Sequence, residues 1–113
     1  MKEIIIDGKK FVEAKDETLT EYSIIRTYSA GVHFGVVAKR EGREITLKNA
    51  RRIWYWDGTA SLSQMALEGV KKPENCKFSV SIPEILLLEG IEVIPCTETA
   101  TKSLLAVPDW RVD

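Results

Sequence analysis

Between Glu21 and Trp56 the chain holds three apolar-rich segments with almost nothing between them: EYSIIRTY, GVHFGVVAKR and EITLKNARRIWYW. SAG ends the first and EGRE, around Gly42, closes the second. A parallel neighbour needs a crossover of about a dozen residues or more. Gaps of this size allow only antiparallel neighbours, so residues 20–56 are predicted to form a meander. The third segment is long enough for one bent strand or two short ones. Upstream, EIII precedes Asp7-Gly8 and KKFVEA follows. Asp-Gly between apolar runs is a two-residue turn signal, so residues 1–14 read as a hairpin. KDETLT is polar and reads as a loop.

After Asp57-Gly58 the pattern changes. TASLSQMALEG puts Leu62, Met65 and Ala66 on one helical face. Thr59 is placed to cap that helix and Gly69 to stop it, giving a helix over 59–69. VKKPENCKFSV reads as a loop containing Pro73. IPEILLLEG fits either a buried strand or a short helix, because an unbroken apolar run has no period. IEVIP reads as a strand that joins the sheet, so 78–95 hold the remaining strands. Thr97 caps a last helix, 97–107, stopped by Pro108, with Ala100, Leu104 and Val107 on one stripe and Leu105 beside it. The fold class expected is α+β: one domain, 1–113, with an antiparallel sheet and about two helices on one face. A chain of 113 residues buries only about two-thirds of its surface. Assembly into a homo-oligomer is therefore expected.

Sixteen Lys and Arg face seventeen Asp and Glu, for a net charge of −1. That balance argues against a general DNA or RNA binder. It leaves room for a small anionic ligand held by a few convergent arginines. Cys76 and Cys96 have no His neighbours and no zinc spacing, and read as buried thiols in a reducing cytosol. No signal-peptide pattern is present, and the longest apolar run, ILLL at 85–88, is far too short for a membrane. A cytoplasmic protein is expected. Catalytic chemistry finds little support. The single histidine, His33, lies beside Phe34 and Gly35 with no partnered Ser or Cys and no second His. A structural or surface role is expected for it. The carboxylates are scattered along charged turns, and no glycine-rich phosphate loop exists. The reading is no enzyme, no metal and no cofactor.

The unusual stretch is NARRIWYWDG, residues 49–58. In an extended strand Arg52, Trp54 and Trp56 share one face, and Arg51, Ile53 and Tyr55 the other. Ile53 suggests that its own face covers the core. Two tryptophans on the other face are then covered by more protein, by a second subunit or by a ligand. Guanidinium beside indole suits a flat anion, the ring stacking on a base and the arginine pairing a phosphate. The same residues also make a good core or oligomer seam, with Arg stems lying on Trp faces. Both readings stay open. RTYSAG adds Arg26 and Tyr28 on one face, then Ser29, Ala30 and Gly31, small enough to let a ligand or a backbone approach. The helix start at GTASLS adds free N–H groups. PENCKF offers the Asn75 amide and the Phe78 ring, or simply a loop leading a core Phe into a strand.

Three segments, RTYSAGVHFG, NARRIWYWDGTASLSQMALEGVKKPENCKFSV and IEVIPCTETATKSL, together resemble a family of small phage and prophage proteins, the first Thoeris anti-defence sponge family. The resemblance covers most of residues 24–105. It implies a protein that is not an enzyme and that sequesters nucleotide immune signals. Those signals are cyclic ADP-ribose isomers of the glycocyclic type, with cyclic oligonucleotides such as trinucleotides at separate sites in some members. It implies homo-oligomers, dimers assembled into hexamers, with pockets between subunits. Carried onto this chain, it marks Arg26, Tyr28, Ser29, Gly31, Arg51, Arg52, Trp54, Trp56, Asn75 and Phe78 as candidate ligand residues. The N-terminal hairpin has no counterpart in that expectation. Two rivals remain: a structural or oligomeric interaction protein without a ligand, and a small nucleotide-cleaving enzyme.

Overall fold

A computed structural model describes the backbone of residues 3–6 and 9–12 and the chain from 18 to 113. Strands β1 (Glu3–Ile6) and β2 (Lys9–Val12) pair antiparallel, with Ile4 opposite Phe11. The expected Asp7-Gly8 turn lies outside the described residues, as does the first half of KDETLT. Leu19 and Thr20, at the end of that polar stretch, already belong to β3 (Leu19–Thr27).

The meander is present as β3, β4 (Val32–Glu41) and β5 (Glu44–Tyr55), each antiparallel to the next. Gly42 makes the β4–β5 turn at φ 60°. β5 is one bent strand. Asn49 takes φ 51°, a left-handed conformation that Asn tolerates better than most residues, and the β4–β5 register shifts beside it. The bend gives the two halves of β5 different outer partners. Ile45–Ala50 pair with β7 (Ile82–Leu87), and Ile53–Tyr55 with β6 (Lys77–Phe78). The ambiguous ILLL run is therefore a strand, and an edge strand rather than a buried one: of its residues Leu87 alone is fully buried. Packing decided what periodicity could not.

Strand β8 (Gly90–Thr97) pairs with β3, giving the order β6–β5–β4–β3–β8, with β7 sharing the outer edge of β5. β7 and β8 sit at opposite ends of this order, yet only Leu88 and Glu89 separate them. The sheet must curl until its ends meet. The seam is tight: Gly90 N–H donates to the Arg43 carbonyl at 2.8 Å, and a Cβ at Gly90 would collide with the Ile45 side chain.

Curling creates two cores. Ile24, Phe34 and Ile53 pack under helices α1 (Leu62–Glu68) and α2 (Glu98–Leu105), against Met65, Ala66, Ala100 and Leu104. Ile25, Ile45, Leu47, Ala50 and Leu87 fill the inside of the curl. Thr97 caps α2 as expected, accepting from Ala100 N–H at 3.1 Å, and its hydroxyl donates to the Leu67 carbonyl at 2.7 Å, tying the helices together. Ser61, not Thr59, caps α1: its hydroxyl accepts from Gln64 N–H at 3.1 Å. Gln64 in turn accepts from Ala60 N–H at 2.8 Å. Two N–H groups at this start, those of Ala60 and Gln64, are therefore already engaged. Cys76 and Cys96 are both buried and unbridged; burial raises the Cys76 thiol and pushes Cys96 up to about 12. Among the described residues, no helix is long and apolar enough to cross a membrane.

Candidate functional site

The site grows from the alternation of β5. Cross-strand partners share a face, and Arg26, Val32 and Ile53 are in register across β3, β4 and β5, as are Ile25, His33 and Arg52. The first row lies on the helix side and the second inside the curl. Arg51 and Arg52 therefore point opposite ways.

Arg51 is 4% exposed and fully engaged. Its Nε donates to the Ser79 carbonyl at 2.9 Å, its Nη1 to the Leu104 carbonyl at 2.9 Å, and its Nη2 to the Asp109 carboxylate at 3.1 Å. The guanidinium lies 5.1 Å from the Phe78 ring centroid. Burial lowers the Arg51 pKa and the Asp109 charge partly restores it. Counting a longer contact of Nη2 with the Pro108 carbonyl at 3.4 Å, the framework thus ties down four of the five N–H donors of this guanidinium. Phe78 is 0% exposed beneath it. Both were candidate ligand residues; packing makes them framework instead. The bland reading of PENCKF, a loop leading Phe78 into the core, is the one that the structure supports.

Arg52 is exposed and differently held. Its Nε donates to His33 Nε2 at 3.2 Å. His33 is 1% exposed, and its pKa is lowered to about 4, chiefly by burial and then by the Arg52 charge. The imidazole is thus neutral at physiological pH. Accepting at Nε2 places its proton on Nδ1, which has no hydrogen-bond partner among the described residues. A neutral histidine aims the guanidinium without cancelling its charge. No carboxylate among the described residues pairs with Arg52, whereas Arg26 is held by Glu92 at 2.6 Å.

Around Arg52 the sheet end is hollow. A crevice of about 510 Å³ is lined by Ser29, Ala30, Gly31, Arg52, Trp54 and Trp56. Two adjoining cavities, of about 210 and 260 Å³, also reach Arg52, the first beside His33 and the second beside Glu89. Trp54 is 65% exposed, and Trp56 is half-buried against the helix-side core. The 29–31 turn is stiffly built. The Thr27 hydroxyl donates to the Gly31 carbonyl at 2.7 Å and accepts from Ala30 N–H at 2.9 Å, and Gly31 takes φ 83°. The Ser29 hydroxyl donates to Glu89 at 2.5 Å.

Five of the ten candidates thus meet in one place: Ser29, Gly31, Arg52, Trp54 and Trp56. The others do not. Arg26 is on the opposite face from Arg52, Tyr28 stands in solvent, and Asn75 donates its amide to Asp57 at 3.0 Å outside the crevice lining. Sequence reasoning gave His33 only a structural or surface role and did not weigh Trp110. His33 is found only once the β4–β5 register sets it opposite Arg52. Trp110, beyond the last helix, stacks on Trp54 with ring centroids 6.3 Å apart. Among the described residues, no group of three or more His, Cys, Asp or Glu could hold a metal ion.

The chain belongs to the DUF6948 family, described as a domain of unknown function, whose profile matches residues 20–104. No curated protein and no solved structure matches it.

Proposed function

We propose that this DUF6948 protein is a cytoplasmic, non-catalytic binder that sequesters a planar, phosphorylated nucleotide signal. The ligand class implied by the sponge-family resemblance, cyclic ADP-ribose isomers or cyclic oligonucleotides, is the reading adopted. One observation carries it: an unneutralised guanidinium, Arg52, shares a crevice of about 510 Å³ with two indoles and a small-residue turn. Each part has a separate task. Arg52 pairs a phosphate, worth about 1.5–3 kcal/mol. Trp54 or Trp56 stacks on a base, worth about 1–3 kcal/mol. The Ser29–Gly31 turn lets the sugar-phosphate approach. The Ser29 hydroxyl, held by Glu89, has a positioning role at the turn, and the ligand is held and left intact.

Affinity sets a further requirement. Competing with a host effector takes roughly nanomolar binding, about −12 kcal/mol. One stack and one charge-assisted bond fall well short, even before the cost of immobilising the ligand. Closure of the crevice by a second copy, which removes water from the charged groups, would supply the difference. We therefore include a homo-oligomer, dimers built into a hexamer, in the proposal.

The test is heat release. Purified protein is loaded with cyclic ADP-ribose, washed, boiled, and the supernatant analysed by mass spectrometry. Recovery of the intact mass is expected. Recovery of a hydrolysed product would favour the nucleotide-cleaving enzyme. No bound mass and no thermal shift across cyclic nucleotides would favour an interaction protein, a reading that the exposed Leu86 of β7 and Leu88 just after it recommend.

A further inference from the structure

The family match ends at residue 104, and the chain beyond it is not a loose tail. Arg51 Nη2 reaches the Pro108 carbonyl at 3.4 Å and the Asp109 carboxylate at 3.1 Å. Asp109 forms a parallel bridge with Phe78, and Trp110 N–H donates to the Phe78 carbonyl at 2.8 Å. The segment is in effect one more piece of extended chain laid beside β6. Its consequence is the place of Trp110. The indole stacks on Trp54 with 20° between the ring planes, and Lys77 Nζ lies 5.2 Å from the centroid of the Trp110 ring. Trp54 lines the crevice and Trp110 does not, so the stacking contact is made away from the crevice.

We infer that the segment 107–110, latched by Arg51, is a working part of the binding site: Trp110 is a positioning residue that holds Trp54 as a wall of the crevice. The inference rests on the proposed reading of that crevice and adds a residue to it. The physical need is plain. An indole this exposed would otherwise lose rotamer freedom on meeting a ligand, a cost of the order that immobilising one side chain carries. Stacking on Trp110 removes that freedom in advance. It also explains a buried arginine that touches no ligand. Arg51 acts through the segment that it anchors. The family-matched core alone would carry Trp54 without its support, so the tail sets how rigid the stacking wall is.

The test uses the full chain and two readouts. Stacked indoles give an exciton couplet in the ultraviolet circular dichroism spectrum, which W54A should abolish and W110A should abolish equally. W110A keeps Asp109 and the Arg51 latch, so it should stay folded, with cooperative thermal unfolding. Its affinity for cyclic ADP-ribose should fall about three- to tenfold, the cost of freezing one side chain at binding. W110F, which restores a stacking ring, should recover most of that loss. A folded W110A that binds cyclic ADP-ribose as tightly as wild type overturns the inference, as does a wild-type spectrum without the couplet. If W110A does not fold, W110F and W110L decide it: equal affinity in the two overturns the positioning role. If wild-type protein binds no nucleotide, the reading of the crevice fails instead. The couplet then decides the latch alone, standing if W110A and W54A both lose it and falling if either keeps it.

Discussion

Arg51 and Arg52 are neighbours in the chain, and the two sides of β5 treat them as different substances. On the helix side Arg51 is sealed over Phe78 with all three of its nitrogens bonded to carbonyls or to the Asp109 carboxylate. Inside the mouth of the curl Arg52 has one anchor, a neutral histidine, and keeps its charge. The first arrangement holds a fold together; the second presents a cation. What separates them is a single residue of strand alternation combined with the closure of the sheet. An arginine's identity says little about its work. The polarity of its partner says more, because a carboxylate consumes the charge and a neutral imidazole only directs it.

The contrast can be broken most severely at Arg51. Replacing it with Ala leaves the Asp109 carboxylate and three backbone carbonyls without their donor and uncovers Phe78. Asp109 is half-exposed and can turn to water, but a covered carbonyl left without its donor costs about 1–3 kcal/mol, so R51A should lose at least about 2 kcal/mol in chemical denaturation. R52A should stay within about 0.5 kcal/mol of wild type, as surface changes do. Equal losses in the two variants would erase the distinction.

The next effect lies at His33. Its folded pKa, about 4, is below the ordinary 6.5. The unfolded chain therefore binds this proton first as pH falls. The contribution of the neutral imidazole is complete above about 6.5 and is lost as pH drops towards about 4, by up to about 3 kcal/mol. H33L should flatten the stability profile of the protein across that window. An unchanged slope would mean that His33 is not the group responsible.

The smallest effect is at Arg26. Its pair with Glu92 is solvent-exposed on both sides, and such pairs contribute about 0.2–1 kcal/mol. R26A should shift stability by no more than that and leave ligand retention intact. Loss of retention in R26A would mean that the helix side of the sheet also meets the ligand.

Much of the fold was legible in the chain. Turn-sized gaps dictated the meander, Gly42 and Gly69 marked their turns, and Thr97 marked its helix. ILLL stayed ambiguous because a strand paired on one edge and mostly exposed has no reason to alternate. Thr59 was mistaken for the cap because Ser61 is two residues on and both are good capping residues. For the site, the alternation of Arg52 with Trp54 and of Arg51 with Ile53 could be read directly. The split between framework and crevice could not, since it depends on which face the helices cover. The pairing of Arg26 with Glu92 and of Arg52 with His33 depends on register, which bulges reset along β3 and β4. Trp110 carried a weak signal of its own, a large aromatic in a polar tail, whose partner no spacing rule supplies.

The central claim is that Arg52 presents an unspent charge to a planar phosphorylated guest. Its most direct test is calorimetric titration of wild-type protein, R52A and R26A with cyclic ADP-ribose under one set of conditions. R52A should bind at least about tenfold more weakly, the equivalent of the charge-assisted bond it lacks, while R26A should match wild type. If R52A titrates with wild-type affinity, Arg52 does not hold the ligand and the crevice is not the site.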